Sequence, residues 1–253
     1  MDNVQEELSH KYGLVGKNIS YSFSRSYFAK KFKSEGLQHT YVNFDIDSIE
    51  KFESIIKDTP NLKGLNVTIP YKEQVIPLLD ELNEHARKIG AVNTIKITRY
   101  QKLIGFNTDY YGFKNSIKPH LKEHHKHALI LGTGGASKAI AYALEELGIQ
   151  YDYVSRNVKE DVKFLYTDLT NDIISTYSVI INCTPIGTYP NVNECPDIPY
   201  EAVTKNHILY DLIYNPEQTK FLSCGDMMEA TTINGLEMLE LQADKAWEIW
   251  NQY

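Results

Sequence analysis

Short apolar runs and amphipathic stretches alternate along nearly the whole chain, which predicts an α/β protein. Tyr12–Gly16 reads as a first strand and Arg25–Glu35 as a helix with Tyr27, Phe28 and Phe32 on one face. His39–Phe44 predicts a strand, Ser48–Lys57 a helix and Gly64–Thr68 a further strand, with Pro70 at a helix start. Val92–Thr98 and Lys102–Asn107 predict a hairpin around Arg99–Gln101, followed by a helix over Tyr110–Leu121. Strands are expected at Tyr151–Ser155, Ser178–Asn182 and His207–Leu212. The last helix, Gly235–Gln252, carries Leu236, Leu239, Ala243, Ala246 and Trp250 at helical spacing.

One unit of this alternation carries chemistry. HALILGTGGASKAIAYALEELG, residues 127–148, is an apolar run, a glycine-rich turn and an amphipathic helix. A dinucleotide-binding turn needs that order. Gly132 allows a sharp exit from the strand, and Gly134 lets the backbone approach a pyrophosphate. Gly135, Ala136 and Ser137 open a helix whose N-terminus faces the anion. A glycine triplet alone is often only a tight turn, but here both flanking elements are present. The turn lies in mid-chain, so the first half must form a second lobe. The expected division is 1–108 with 235–253 as a substrate lobe, and 109–234 as a Rossmann-type, doubly wound, parallel-sheet nucleotide domain. The C-terminal helix would return to the cleft, with the ligand between the lobes.

The 253 residues are 42% hydrophobic and 23% charged, as in an ordinary soluble protein able to bury one or two cores. The net charge of −7 argues against bulk attraction to nucleic acid or an anionic membrane. No apolar run approaches the ~20 residues of a membrane span. The opening MDNVQEELSH is acidic and polar, unlike a signal peptide. Cys183, Cys195 and Cys224 are scattered and odd in number, which predicts no disulfide framework and a cytoplasmic setting. His120, His124, His125 and His127 crowd one segment without acidic or cysteine ligands at suitable spacing, so a polar connection is expected rather than a metal site.

Several polar clusters sit at element boundaries. Ser22 and Ser24 precede the first helix, where Ser24 can cap it and both hydroxyls can face an anion; two serines there are also ordinary caps. Asn66 and Thr68 share one face of a strand end, and Lys72 is expected in the first turn of the helix after Pro70. The positive helix end disfavours a cation there, so Lys72 is either a proton-transfer residue or an exposed surface lysine. GAVNT at residues 90–94 and NTD at residues 107–109 place Asn93 and Asp109 at strand boundaries, where Asp109 can be a plain N-cap. Arg156 follows Ser155, 24 positions after Gly132, where an enzyme using the unphosphorylated cofactor places a carboxylate. A cation there suits a 2′-phosphate and favours NADP.

Taken in order, SYSFS, NVTIPYK, GAVNT, NTD, GTGGAS, SRN, NCTPIG and GLEMLELQADKAW resemble the shikimate dehydrogenase family from Gly16 to Trp250. The resemblance implies reversible, NADPH-dependent reduction of 3-dehydroshikimate to shikimate in aromatic amino-acid (chorismate) biosynthesis, by a monomer or homodimer. It implies Lys72 and Asp109 as the catalytic pair. Ser22 and Ser24 would hold the substrate carboxylate, and Thr68, Asn93 and Gln242 would bond the ring hydroxyls. Tyr214 would approach the substrate and nicotinamide, with Thr184 and Gly187 near the nicotinamide end.

The chain departs from that pattern in places. Tyr110 and Tyr111 stand where glycine commonly follows NTD, Glu237 replaces a glycine, and Phe23 and Arg25 replace the usual lysine and proline around the serines. Only Asn157–Lys163 separates Arg156 from the apolar run Phe164–Tyr166, too few residues for the usual helical crossover. That helix is expected to be missing or reduced to a turn, with Lys159 as a second positive charge. Two alternatives remain at this point: a quinate/shikimate dual-specificity enzyme and a non-catalytic NADP-binding regulator.

Overall fold

The structure, a computed structural model, describes residues 9–20 and 22–252; the acidic opening segment and Tyr21 of SYSFS lie outside the described residues. It divides into two compact units, Met1–Thr108 with Ala243–Tyr253, and Asp109–Gln242. No helix among the described residues is long and apolar enough to cross a membrane.

The first unit is built on six strands: β1 (Lys11–Gly16), β2 (Thr40–Asp45), β3 (Leu62–Val67), β4 (Glu81–Leu82), β5 (Thr94–Ile97) and β6 (Leu103–Phe106). They are ordered β2-β1-β3-β5-β6-β4. β1 runs parallel to β2 and β3, whereas β5 is antiparallel to both β3 and β6. Strand residues alternate between faces. Tyr12 and Leu14 therefore join Phe28 and Phe32 of α1 (Phe23–Ser34) in one core, while Val15 joins Leu65, Ile95 and the residues of α2 (Phe52–Asp58) and α3 (Glu84–Ile89) in another.

The second unit opens with α4 (Asp109–Ile117) and carries β7 (His127–Leu131), α5 (Gly135–Glu146), β8 (Gln150–Ser155), β9 (Val162–Leu165), α6 (Asn171–Thr176), β10 (Val179–Asn182), β11 (Ile208–Asp211), α7 (Lys220–Met227) and β12 (Thr231–Ile233). Its sheet is parallel throughout, ordered β12-β11-β10-β7-β8-β9. Numbered within this sheet, the order is 3-2-1-4-5-6, the doubly wound arrangement of dinucleotide-binding domains. Both faces are covered: Ala128, Ile130, Val179 and Ile181 enter one core, and Leu129, Leu131 and Ile180 the other. That double burial explains why these strands read as unbroken apolar runs.

The last helix, α8 (Leu236–Asn251), has residues in both units. The sequence predicts all of 235–253 in the first lobe. Residues 235–242 group instead with the second unit, because α8 packs closely on α4: a Cβ at Gly112 would lie 2.4 Å from Met238 O. In the first unit, Trp250 lies against Gly64 of β3 and donates from Nε1 to Ile95 O at 3.0 Å.

Other expectations are corrected. No helix starts at Pro70; residues 69–75 are a series of turns ending in a 3₁₀ turn at Ile76–Leu78. Pro77 stands seven residues after Pro70, and its missing N–H and bias on Ile76 leave no room for an α-helix. α4 stops at Ile117 and tightens to a 3₁₀ turn at Lys118–His120 around Pro119. The segment after Arg156 has no helix: β9 begins at Val162. It can do so because Val162 pairs with Tyr153, near the end of β8, so the chain drops back only about 7 Å, two residues of strand.

Candidate active site

In the first unit, backbone and side-chain hydrogen bonds knit three of the motifs together. Val67 N donates to Asn93 O at 2.8 Å, and Val92 N donates to Lys72 O at 2.7 Å. Asn107 Nδ2 donates to Ala91 O at 3.0 Å, Thr108 N to Asn93 Oδ1 at 2.7 Å, and Asn93 Nδ2 to Thr108 Oγ1 at 3.0 Å. NVTIPYK, GAVNT and NTD thus meet around the buried amide of Asn93. A buried amide with its hydrogen bonds made is rigid, because leaving one unmade costs ~1–3 kcal/mol. Lys72 is half-buried, with its backbone held against this knot.

Thr68 leaves β3 with its N–H on Val15 O at 2.9 Å, and Gly16 makes room for it: a Cβ at position 16 would meet Thr68 Cγ2 at 2.5 Å. Asn66, buried beside it, donates from Nδ2 to Asn93 O at 3.3 Å and to Thr94 Oγ1 at 3.2 Å. Ser22, not Ser24, caps α1: its Oγ accepts from Arg25 N at 3.3 Å. Ser24 is the second helical residue of α1, and the buried Tyr41 of β2 donates from its hydroxyl to Asn66 Oδ1 at 2.8 Å. Before the serines, Asp45 accepts from Asn18 N at 2.9 Å and Ile19 N at 3.2 Å, fixing the loop that enters α1.

In the second unit, Asp109 is buried and is the first helical residue of α4 rather than its cap. Gln242 is buried on α8 and donates to Leu239 O at 3.0 Å; Tyr214, after β11, is half-buried. Gly132 has φ +102°, a conformation that favours glycine, and a Cβ there would lie 2.9 Å from Thr184 Cγ2. The glycine turn therefore abuts the NCTPIG loop where the strand order reverses between β7 and β10, the place where such sheets bind ligands.

These residues fit a dinucleotide phosphate. Gly134 is the N-cap of α5 and supplies no side-chain cap, so first-turn N–H groups of Gly135 and Ala136 stay available to an anion. A Cβ on Gly134 would meet nothing within 4 Å, which is the open approach a pyrophosphate needs. Ser137 turns inward and donates to Gly134 O at 2.6 Å. Arg156 is exposed beyond Ser155, and Lys159 Nζ donates to Thr133 Oγ1 at 2.6 Å, which puts a second cation beside the glycine turn.

The sequence reading missed a pair of turns that hold the other side of this crevice. Asn182 and Asp211 end the neighbouring strands β10 and β11 in register. Each turns its chain by accepting a backbone N–H two residues on: Thr184 N on Asn182 Oδ1 at 3.0 Å, and Ile213 N on Asp211 Oδ1 at 3.1 Å. Asn182 Nδ2 donates to Asp211 Oδ1 at 3.0 Å, and Thr219 Oγ1 donates to Asp211 Oδ2 at 2.7 Å. An Asn or Asp closing an apolar strand was the available signal. The hub sets the placement of Thr184, whose Oγ1 donates to Asn182 Oδ1 at 2.6 Å, and Gly187 follows in the same loop with φ +103°.

Burial raises the Asp211 carboxyl to about 6, against the pull of its three hydrogen-bond donors. The native state then holds this proton more tightly than the unfolded chain. Its contribution to stability is full below about pH 4 and is lost as pH rises through about 6. Asp211→Asn, which does not titrate, should gain in urea midpoint relative to the unsubstituted chain across that window. A gap between the two that stays constant from acid to neutral pH would show no titration there.

His125 is buried, accepts from Lys122 N at 2.9 Å through Nδ1, and lies 3.1 Å from Asn206 O through Nε2.

The family described as shikimate dehydrogenase substrate binding domain matches residues 14–95. The chain is 37% identical to a shikimate dehydrogenase (NADP(+)) of Methanosphaera stadtmanae, over 94% of this chain and 90% of that one. A shikimate dehydrogenase structure from Aquifex aeolicus superposes with a TM-score of 0.86 at 33% identity, covering 99% of this chain and 94% of that one. The Thermus thermophilus shikimate 5-dehydrogenase, solved with NADP(H) and shikimate, gives a TM-score of 0.85 at 27% identity, covering 96% and 93%.

Proposed function

This chain belongs to the shikimate dehydrogenase family, and from that premise we propose that it reduces 3-dehydroshikimate reversibly to shikimate, as an NADP-dependent oxidoreductase of aromatic amino-acid biosynthesis. The observation that carries this reading is the knot around Asn93, which gathers Thr68, Lys72 and the chain entering Asp109. A glycine-turn domain alone would support only cofactor binding.

The residues divide the work. Ser22 and Ser24 hold the substrate carboxylate, and Thr68, Asn93 and Gln242 bond its ring hydroxyls, with Tyr214 near the reacting end. Gly132, Gly134, Gly135 and Ala136 bind the pyrophosphate of NADP through their backbone. Ser155 and Arg156, helped by Lys159, take the 2′-phosphate, and Thr184 and Gly187 border the nicotinamide. NADPH, when bound, supplies the hydride. Lys72 gives a proton to the substrate oxygen as that oxygen gains negative charge, and Asp109 is its partner in the catalytic pair. A positioned acid contributes ~10²–10⁴ in rate. Holding the ring by its carboxylate and hydroxyls supplies orientation, a separate and comparably large term.

The test is direct. Protein mixed with 3-dehydroshikimate and NADPH should bleach the reduced nicotinamide band, and shikimate with NADP should restore it. Equal turnover of quinate would make the enzyme dual-specific. Firm NADP binding without turnover on any of these substrates would make the chain a non-catalytic binding protein.

Arg156→Ala should weaken NADP by about one to two decades, the worth of a charge-assisted contact of ~1.5–3 kcal/mol, and NAD much less. Calorimetric titration of both cofactors measures this. Equal losses for the two would show that Arg156 does not read the 2′-phosphate.

A further inference from the structure

Residues 156–161 join β8 to β9, and both cations proposed for the 2′-phosphate, Arg156 and Lys159, lie among them. Two short turns shape this loop: Asn157 N donates to Ser155 Oγ at 3.3 Å, and Val162 N donates to Lys159 O at 3.1 Å. They fix the backbone of Lys159 and leave its ammonium on a flexible stem. A hydrogen bond holds the far end: Lys159 Nζ donates to Thr133 Oγ1 at 2.6 Å, across 26 positions. Thr133 stands between Gly132 and Gly134, and Gly132 N donates to Val154 O at 2.9 Å, so the glycine turn leaves β7 alongside the end of β8. The Lys159–Thr133 bond therefore brings the loop back to the strand end from which it started. An ammonium has three donors, so one on Thr133 leaves two for an anion, and the threonine accepts through a lone pair without using its own proton.

We propose that Thr133 is a positioning residue for cofactor choice: its hydroxyl holds the Lys159 ammonium beside the end of β8, where Arg156 begins the loop, so that both cations receive the 2′-phosphate. The inference deepens the proposed function and rests on its assignment of Arg156 and Lys159 to that phosphate. Its physical basis is the cost of ordering. An unheld lysine on a loop samples many rotamers, and fixing it when the phosphate arrives offsets much of what the contact contributes. A helical crossover would place a cation through a rigid backbone; a connection this short allows only turns, and Thr133 supplies the restraint from the neighbouring strand end. The restraint serves NADP alone, because NAD carries a hydroxyl where NADP carries the 2′-phosphate.

Thr133→Val keeps the branched shape and removes the hydroxyl. By calorimetry it should raise the dissociation constant for NADP about three- to tenfold and that for NAD by less than about twofold. Thr133→Ser, which restores a hydroxyl, should recover most of the NADP affinity. Lys159→Met should weaken NADP by about tenfold or more. Adding Thr133→Val to Lys159→Met should change nothing further, because the hydroxyl then has no ammonium to hold. The urea midpoint of the cofactor-free protein should not move in any of these variants, since the bond lies at the surface. An unchanged NADP affinity in Thr133→Val, an equal loss for NADP and NAD, a lowered midpoint in that variant, or fully multiplicative effects in the double variant would each overturn the role while leaving the reaction standing. An unsubstituted chain that binds NAD as tightly as NADP would overturn the proposed 2′-phosphate site, and this role with it.

Discussion

Lys72→Ala should lower kcat by about 10²–10⁴-fold, while the dissociation constant for shikimate changes far less. The asymmetry follows from the proposed role: the ammonium is needed when the substrate oxygen gains charge, and the ground state is held by other groups. The structure makes the substitution clean. Lys72 O accepts from Val92 N at 2.7 Å, and the neighbouring Tyr71 is buried and donates from its hydroxyl to Ile46 O at 2.7 Å. Both anchors are independent of the lysine side chain, so the turn should keep its shape. Lys72→Arg separates charge from proton supply, because a guanidinium keeps the positive charge but does not give up its proton in the working range. It should remain impaired. Steady-state rates at the nicotinamide band, with calorimetry for shikimate, decide the matter; near-normal turnover in either variant removes Lys72 from proton transfer.

A second large effect is expected on stability. Trp250 is fully buried, 4.8 Å from the Tyr12 ring and 5.3 Å from that of Phe28, with its Nε1–H on Ile95 O. Trp250→Ala should cost ~3–5 kcal/mol, a large part of the ~5–15 kcal/mol available to a typical domain. It also leaves the Ile95 carbonyl without that donor. The other tryptophan, Trp247, reports the transition by fluorescence, and the urea midpoint should fall with little change in slope. Gly64→Ala should act in the same direction, since its Cβ would lie 2.3 Å from the indole Nε1. Combined, the two should cost less than their sum, because the cavity left by the indole accepts the new methyl. An unchanged midpoint for Trp250→Ala would sink this account of how the last helix is held.

The glycine turn and the alternation of elements were legible because both are local. An apolar run, Gly132 and an amphipathic helix are contiguous, and each follows from its own few residues. The shortened segment after Arg156 was legible for the same reason, since a count of residues bounds what can be built. Weak, short elements were not legible. α3, α6, α7, β4 and β12 escaped because their formation depends on the surfaces they pack against more than on their own periodicity. The helix predicted after Pro70 does not form, because Pro77 removes a donor and restricts Ile76 within its second turn.

The candidate site divides in the same way. Chemistry-bearing residue types at Ser22, Ser24, Lys72, Asn93 and Asp109 stood out in the sequence from their positions at element ends. Tyr41, Asn182 and Asp211 did not. Tyr41 meets Asn66 across 25 positions, and Asn182 meets Asp211 across 29. A hydrogen bond reaches only ~3 Å and is directional, so such partners are set by strand register, and register is a property of the whole sheet. By itself the sequence determined the doubly wound nucleotide unit, its phosphate turn and the residue types offered for proton transfer. Only the tertiary structure decided which buried hydroxyls and amides hold those residues in place, because a side chain's partner lies on whichever strand the sheet brings alongside.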